Sequence, residues 1–150
     1  MKKIVLILMF FCFLTPSFAA QRTFSTLDNE NIDYQELISK ENTVLFIWAT
    51  WCPSCRRELE KLSRDRVFFE DINVWYVNTG EKKSAVEKYV ATKDLNSIIK
   101  DRIILDREGY IAGKFSVNAI PTYIFFQNGE PVSKSYYLDD EILEKVFKEK

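Results

Sequence analysis

Two cysteines three positions apart carry the chemistry of this chain. They stand in the run Trp51-Cys52-Pro53-Ser54-Cys55, where the apolar stretch Val44 to Ala49 gives way to an amphipathic pattern from Arg56 to Arg66. A Cys-x-x-Cys at the join of a strand and a helix is a redox arrangement, because its spacing lets the two sulfurs close a small ring. A helix start also places the first sulfur beside unpaired backbone N–H groups and the positive end of the helix dipole. Both favour the thiolate, the species that attacks disulfides. A free cysteine has a pKa of about 8.5, and such motifs lower it. Cys52 is therefore the expected attacking thiol.

Cys55 lies one helical turn on and faces the same side. Its expected task is to break the mixed disulfide between Cys52 and a client, which requires Cys55 to lose its own proton. Glu58 follows Cys55 at i+3 and shares its helix face, so a partly buried carboxylate there is placed to accept that proton. The alternative is a solvated surface glutamate. Arg56 and Arg57 read as a solvated helix face that adds some positive field near the sulfurs.

The rest of the composition narrows the choices. The 150 residues suggest one domain, and 47% hydrophobic content with 15% aromatics supplies a sizeable core. The formal net charge of −1 provides no basic field for nucleic acid. There is no histidine, which removes the commonest general base and metal ligand.

Lys2 and Lys3, the apolar run Ile4 to Leu14 and the small-x-small site Ser17-Phe18-Ala19 read as a secretory signal over residues 1–19, leaving one domain over residues 20–150. The apolar run is shorter than a spanning helix of about 20 residues, though an uncleaved anchor is an alternative. Cys12 follows Phe10 and Phe11 rather than the small residue of a lipidation site. Removing the leader leaves Cys52 and Cys55 as the only cysteines. Zinc takes about four ligands, so no metal site is expected. A disulfide across so short a loop adds little stability, which favours redox over stapling. An extracytoplasmic, periplasmic-type location follows.

Patterning gives the elements that must position this pair. Arg22 to Leu27 reads as an extended lead-in and Asp33 to Lys40 as a short helix. Thr43 to Ala49 is apolar enough to be a strand buried on both faces, and Pro53 suits a first helical turn. The helix it opens carries Leu59 and Leu62, with Val67 and Phe68 near its end. Ile72 to Val77 is a second strand, broken by Asn78-Thr79-Gly80. A helix over Ser84 to Ala91, a turn or two within Asp94 to Lys100 and a strand over Ile103 to Leu105 come next. Asp106 to Gly109 is a turn, and Ala112 to Phe115 one helical turn. Strands Pro121 to Phe126 and Pro131 to Tyr137 flank the hairpin signal Asn128-Gly129, with Pro131 favouring a sheet edge. Asp139 caps a closing helix that turns Ile142, Leu143, Val146 and Phe147 inward.

Phe46 to Cys55, Asp106 to Gly109 and Ala119-Ile120-Pro121-Thr122 together resemble the TlpA/ResA/DsbE-like extracytoplasmic thiol–disulfide oxidoreductases of the thioredoxin superfamily. The resemblance runs from Thr43 to Lys150. It implies an α/β thioredoxin fold: a central mixed sheet flanked by helices, with an αβ insertion between Asn78 and Arg102. It implies that Cys52 is the more exposed sulfur, that Glu58 serves as the proton acceptor, and that Ile120-Pro121 is a cis bond facing the sulfurs. The backbone of Ile120 would then pair with substrate and its side chain would wall the groove. Trp51 is expected to shield one side of the site and contact substrate, whereas Trp48 belongs to the core. Ordinary thioredoxins carry a buried aspartate where this chain has Phe46, which leaves Glu58 as the local acid.

The implied function is disulfide reduction in partner proteins, as in cytochrome c maturation, with a membrane thiol–disulfide electron donor and no cofactor beyond the Cys52–Cys55 pair. The alternatives are a disulfide-introducing oxidase and a non-catalytic thioredoxin-like binding module. A peroxidase is less well supported, since its usual threonine–cysteine pattern is missing.

Overall fold

The computed structural model describes residues 22–64 and 71–148. The expected signal segment, and Val67 and Phe68 at the expected helix end, lie outside them. The elements run β1 (Thr23–Thr26), β2 (Asn31–Asp33), α1 (Tyr34–Ile38), β3 (Asn42–Trp48), α2 (Pro53–Arg64), β4 (Asn73–Thr79) and α3 (Lys83–Ala91). They continue with α4 (Ser97–Asp101), β5 (Ile103–Asp106), α5 (Tyr110–Lys114), β6 (Thr122–Gln127), β7 (Glu130–Ser135) and α6 (Asp140–Phe147). The strands form one mixed sheet in the order β2-β1-β5-β4-β3-β6-β7. Within it β3, β4 and β5 are parallel, and β6 runs antiparallel to β3. This is the thioredoxin-type arrangement, with helices on both faces.

Strand β3 is central, and its residues from Thr43 onward are all buried. Its side chains alternate between two apolar layers. Val44, Phe46 and Trp48 face the layer closed by Leu59 and Leu62 of α2, Val86 and Val90 of α3, Ile99 of α4 and Leu143 of α6. Leu45 and Ile47 face the layer closed by Leu37 and Ile38 of α1 and Ile111 of α5. A strand covered on both sides has no polar face, which is why its sequence reads as a continuous apolar run.

Side chains fix several helix starts. Asp33 accepts the Glu36 N–H at 2.9 Å, Asn96 the Ile99 N–H at 2.9 Å and Asp139 the Ile142 N–H at 2.9 Å. Asn96 also ties α4 to α2: its own N–H and side-chain amide donate to the Ser63 hydroxyl and carbonyl at 2.8 and 2.9 Å. Buried Asp106 accepts from the N–H groups of Tyr110 and Ile111 at 2.7 and 2.9 Å and so opens α5. Burial pushes its carboxyl above the usual carboxylate range, against the pull of those backbone bonds.

Three local expectations change. The lead-in is one arm of a β1–β2 hairpin, whose second strand was not anticipated. Asn78 and Thr79 do not break the second strand but complete β4, with Asn78 paired between Trp48 and Leu105. The turn before β6 contains a helix, α5, that starts at Tyr110 rather than Ala112. The Asn128-Gly129 turn is as read, with positive φ at both residues, and β7 is the edge strand.

Candidate active site

Cys52 immediately precedes α2, with Pro53 at the first helical position. Its carbonyl accepts the Arg56 N–H at 3.1 Å, the opening bond of the helix. Its sulfur accepts the Cys55 N–H at 3.1 Å. Cys52 thus occupies the capping position, where a side-chain acceptor meets the unpaired N–H groups. The Ser54 hydroxyl lies 3.3 Å from the same sulfur and donates to it. These donors lower the energy of negative charge on Cys52, and no comparable set reaches Cys55 among the described residues.

The two sulfurs are joined in a disulfide, with Cα atoms 5.3 Å apart. Cys55 is wholly buried, whereas Cys52 retains 3% exposure. Of the pair, only Cys52 keeps any exposed surface. The Ile120–Pro121 bond is cis, and the Ile120 carbonyl oxygen lies 3.7 Å from the Cys52 sulfur. Ile120 packs against both apolar layers at the sheet end. The structure thus brings together Cys52, Cys55, Ile120 and Pro121.

Trp51 projects into solvent at 68% exposure, while Trp48 is fully buried against Tyr89 at 5.8 Å. Arg56 and Arg57 are exposed and form no ion pair among the described residues. Phe46 is buried and stacks on Tyr123 at 4.8 Å between ring centroids. The place that holds an acid in ordinary thioredoxins is therefore dry and aromatic.

Glu58 is neither sealed nor free, with 22% of its side chain exposed. Its carboxylate lies 3.7 Å from Lys61, whose ammonium donates to the Leu138 carbonyl at 3.5 Å. It makes no hydrogen bond to Cys55 among the described residues, but it acts electrostatically on Tyr123.

Glu81 was missed from the sequence. Its carboxylate accepts the Thr50 N–H and hydroxyl, both at 2.6 Å, and the Asn78 amide at 2.8 Å. It anchors the β3–α2 loop that presents Trp51 and Cys52 to the end of β4. The available signal was an acid just after the Asn78-Thr79-Gly80 run.

Comparison with known proteins agrees with this geometry. ResA, a thiol–disulfide oxidoreductase of Geobacillus kaustophilus, is 29% identical over 57% of this chain and 49% of its own length. Sporulation thiol–disulfide oxidoreductase A of Bacillus subtilis is 25% identical over 77% of this chain and 70% of its own. The chain thus spans about half the length of the first relative. The solved structure of MTB DsbF superposes with a TM-score of 0.68 at 21% identity, covering 85% of this chain and 93% of that one. StoA from Bacillus subtilis gives 0.66 at 23%, covering 89% and 100%. These two likenesses establish the fold. The AhpC/TSA family model matches residues 14–135, and with that match covering most of its length the chain belongs to the AhpC/TSA family.

Proposed function

We propose that the protein is a thiol–disulfide oxidoreductase that reduces disulfides in specific partner proteins outside the cytoplasm. The observation that carries this reading is the Cys52–Cys55 disulfide at the start of α2, with Cys52 capped by N–H donors and 3.7 Å from the Ile120 carbonyl. The curated relatives named thiol–disulfide oxidoreductases support it.

The cycle has two exchanges. With the pair reduced, the Cys52 thiolate attacks a client disulfide. A bond forms between Cys52 and one client sulfur, and the other client sulfur leaves as a thiolate that takes up a proton. Cys55 then gives its proton to Glu58, directly or through water, and attacks Cys52. The client sulfur leaves reduced, and the Cys52–Cys55 disulfide is restored. A membrane thiol–disulfide donor returns the pair to the dithiol by the reverse route, entering at Cys52. The redox disulfide suffices as the electron carrier. Clients that present haem-binding cysteine pairs, as in cytochrome c maturation, suit the chemistry. The leader pattern over residues 1–19 supports the location.

Cys52→Ala abolishes disulfide reduction, and Cys55→Ala accumulates mixed disulfides with the client, whose identification in cells names the partner. Full activity of the Cys52 variant contradicts the assignment. Direction is read from the reduction potential: a value near about −270 mV supports a reductant, and one near about −120 mV reverses the cycle into an oxidase.

A further inference from the structure

Tyr123 on β6 is wholly buried, yet its hydroxyl has no hydrogen-bond partner among the described residues. An orphaned buried hydroxyl costs about 1–3 kcal/mol, and a phenylalanine would fill the same space without that cost. The register sets Tyr123 directly opposite Phe46 on β3, so both rings point into the layer that holds Cys55 and Leu59 of α2. The Glu58 carboxylate approaches closely enough to act on the phenol, short of an ordinary hydrogen bond. Glu58 itself accepts no hydrogen bond among the described residues; its contact is Lys61 at 3.7 Å. An unused donor and an unused acceptor thus lie near each other, without bonding, beside the layer that holds the resolving cysteine, where Phe46 takes the place of the buried acid of ordinary thioredoxins.

We propose that the Tyr123 phenol is a positioning residue for the resolving step: it donates a hydrogen bond to Glu58 and holds that carboxylate toward Cys55 while the mixed disulfide is broken. The proposal rests on Glu58 being the proton acceptor. In the oxidised protein Cys55 has no proton to give and the pair stands apart. When a client is held on Cys52, the free Cys55 thiol gives Glu58 a second partner, and the phenol fixes its aim. The groups that bear on this carboxylate are Lys61 and Cys55 on its own helix, Tyr123 on β6 and, through Tyr123, Tyr76 on β4. Burial first, and then the Glu58 charge, push the Tyr123 phenol far above its ordinary range, so it remains a donor at every working pH.

The test separates the two exchanges. Reduced protein is mixed with a chromogenic diaryl disulfide: Cys52 attack releases one aryl thiolate and leaves the other aryl sulfur on Cys52, and the second aryl thiol, released by Cys55 attack, is followed optically in a single turnover. Tyr123→Phe is expected to slow this release roughly tenfold or more, the worth of a hydrogen bond to a charged group, while the preceding attack by Cys52 keeps its rate. In a Glu58→Gln background the same substitution should add little. Normal release in Tyr123→Phe with slow release in Glu58→Gln overturns the phenol's role alone. Normal release in Glu58→Gln overturns the proton-acceptor reading and the phenol's role with it. Equal slowing by Tyr123→Phe with and without Glu58 also overturns the proposal, since the phenol would then act independently of the acid. Urea unfolding is the control for folding: Tyr123→Phe should be at least as stable as the parent, because an orphaned hydroxyl has been removed.

Discussion

Glu81→Ala should loosen the loop that carries Cys52, and the loss can be worked from its contacts. The carboxylate takes two bonds of 2.6 Å from Thr50 and one of 2.8 Å from Asn78. Bonds to a charged acceptor net about 1.5–3 kcal/mol each when shielded from water. Glu81 is only half-buried, so the Thr50 bonds fall at the low end and water replaces part of them. Asn78 is fully buried and its side-chain oxygen already lacks a partner among the described residues. Removing Glu81 orphans its amide as well, at about 1–3 kcal/mol. The expected total is about 3 kcal/mol, or roughly 6–12 °C in Tm for a domain of this size. Glu81→Gln is the informative companion. Its oxygen can keep the two N–H donors, and its amide can donate to the Thr50 hydroxyl. Only the charge is lost, and the cost should stay within about 1 kcal/mol. Urea unfolding of the oxidised variants, with unchanged m-values, gives both numbers. An alanine variant within about 0.5 kcal/mol of the parent, or a glutamine variant as damaged as the alanine one, refutes the anchoring argument.

Phe46→Ala should cost about 3–5 kcal/mol in urea unfolding, because it empties a fully buried aromatic site stacked on Tyr123. Asp139→Ala removes the acceptor of the Ile142 N–H and should cost about 1 kcal/mol, with Asp139→Asn close to the parent. Burial, with smaller contributions from Tyr110 and Glu130, raises the Tyr34 phenol to about 12. The unfolded chain releases that proton at about 10, so the stability Tyr34 contributes is complete below pH 10 and lost as pH rises toward 12. The urea midpoint of the parent should therefore fall more steeply across that window than that of Tyr34→Phe, and parallel curves would remove Tyr34 from the account.

The legible parts of this molecule are those written in local chemistry. The unbroken apolar run of β3 announces burial on both faces, Pro53 marks the start of α2, Asn128-Gly129 fixes the last hairpin and Asp139 caps α6. Strand β2 was illegible because Asn31-Ile32-Asp33 offers one apolar side chain, and its extended state comes from pairing with β1. Asn78 was misread for a related reason. Asparagine favours turns on its own, but here a bond to Glu81 lets it lie buried within a strand. The cysteines and Pro121 carried their meaning in residue type and spacing. Tyr123 did not, since only the β3–β6 register sets its ring on the Cys55 face of the sheet. Glu58 was half legible: helical spacing put it on the face of Cys55 and three residues from Lys61, while its approach to the Tyr123 phenol depended on the packing of α2 against β6.

The central claim is that the start of α2 makes Cys52 the ionised, reachable nucleophile. Ultraviolet titration of the reduced Cys55→Ala variant, paired with the pH dependence of its alkylation, measures this directly. The account predicts one thiol ionising clearly below the free-cysteine value of about 8.5 and reacting in step with that ionisation. A Cys52 that ionises at or above that value, or that remains unreactive once ionised, contradicts it.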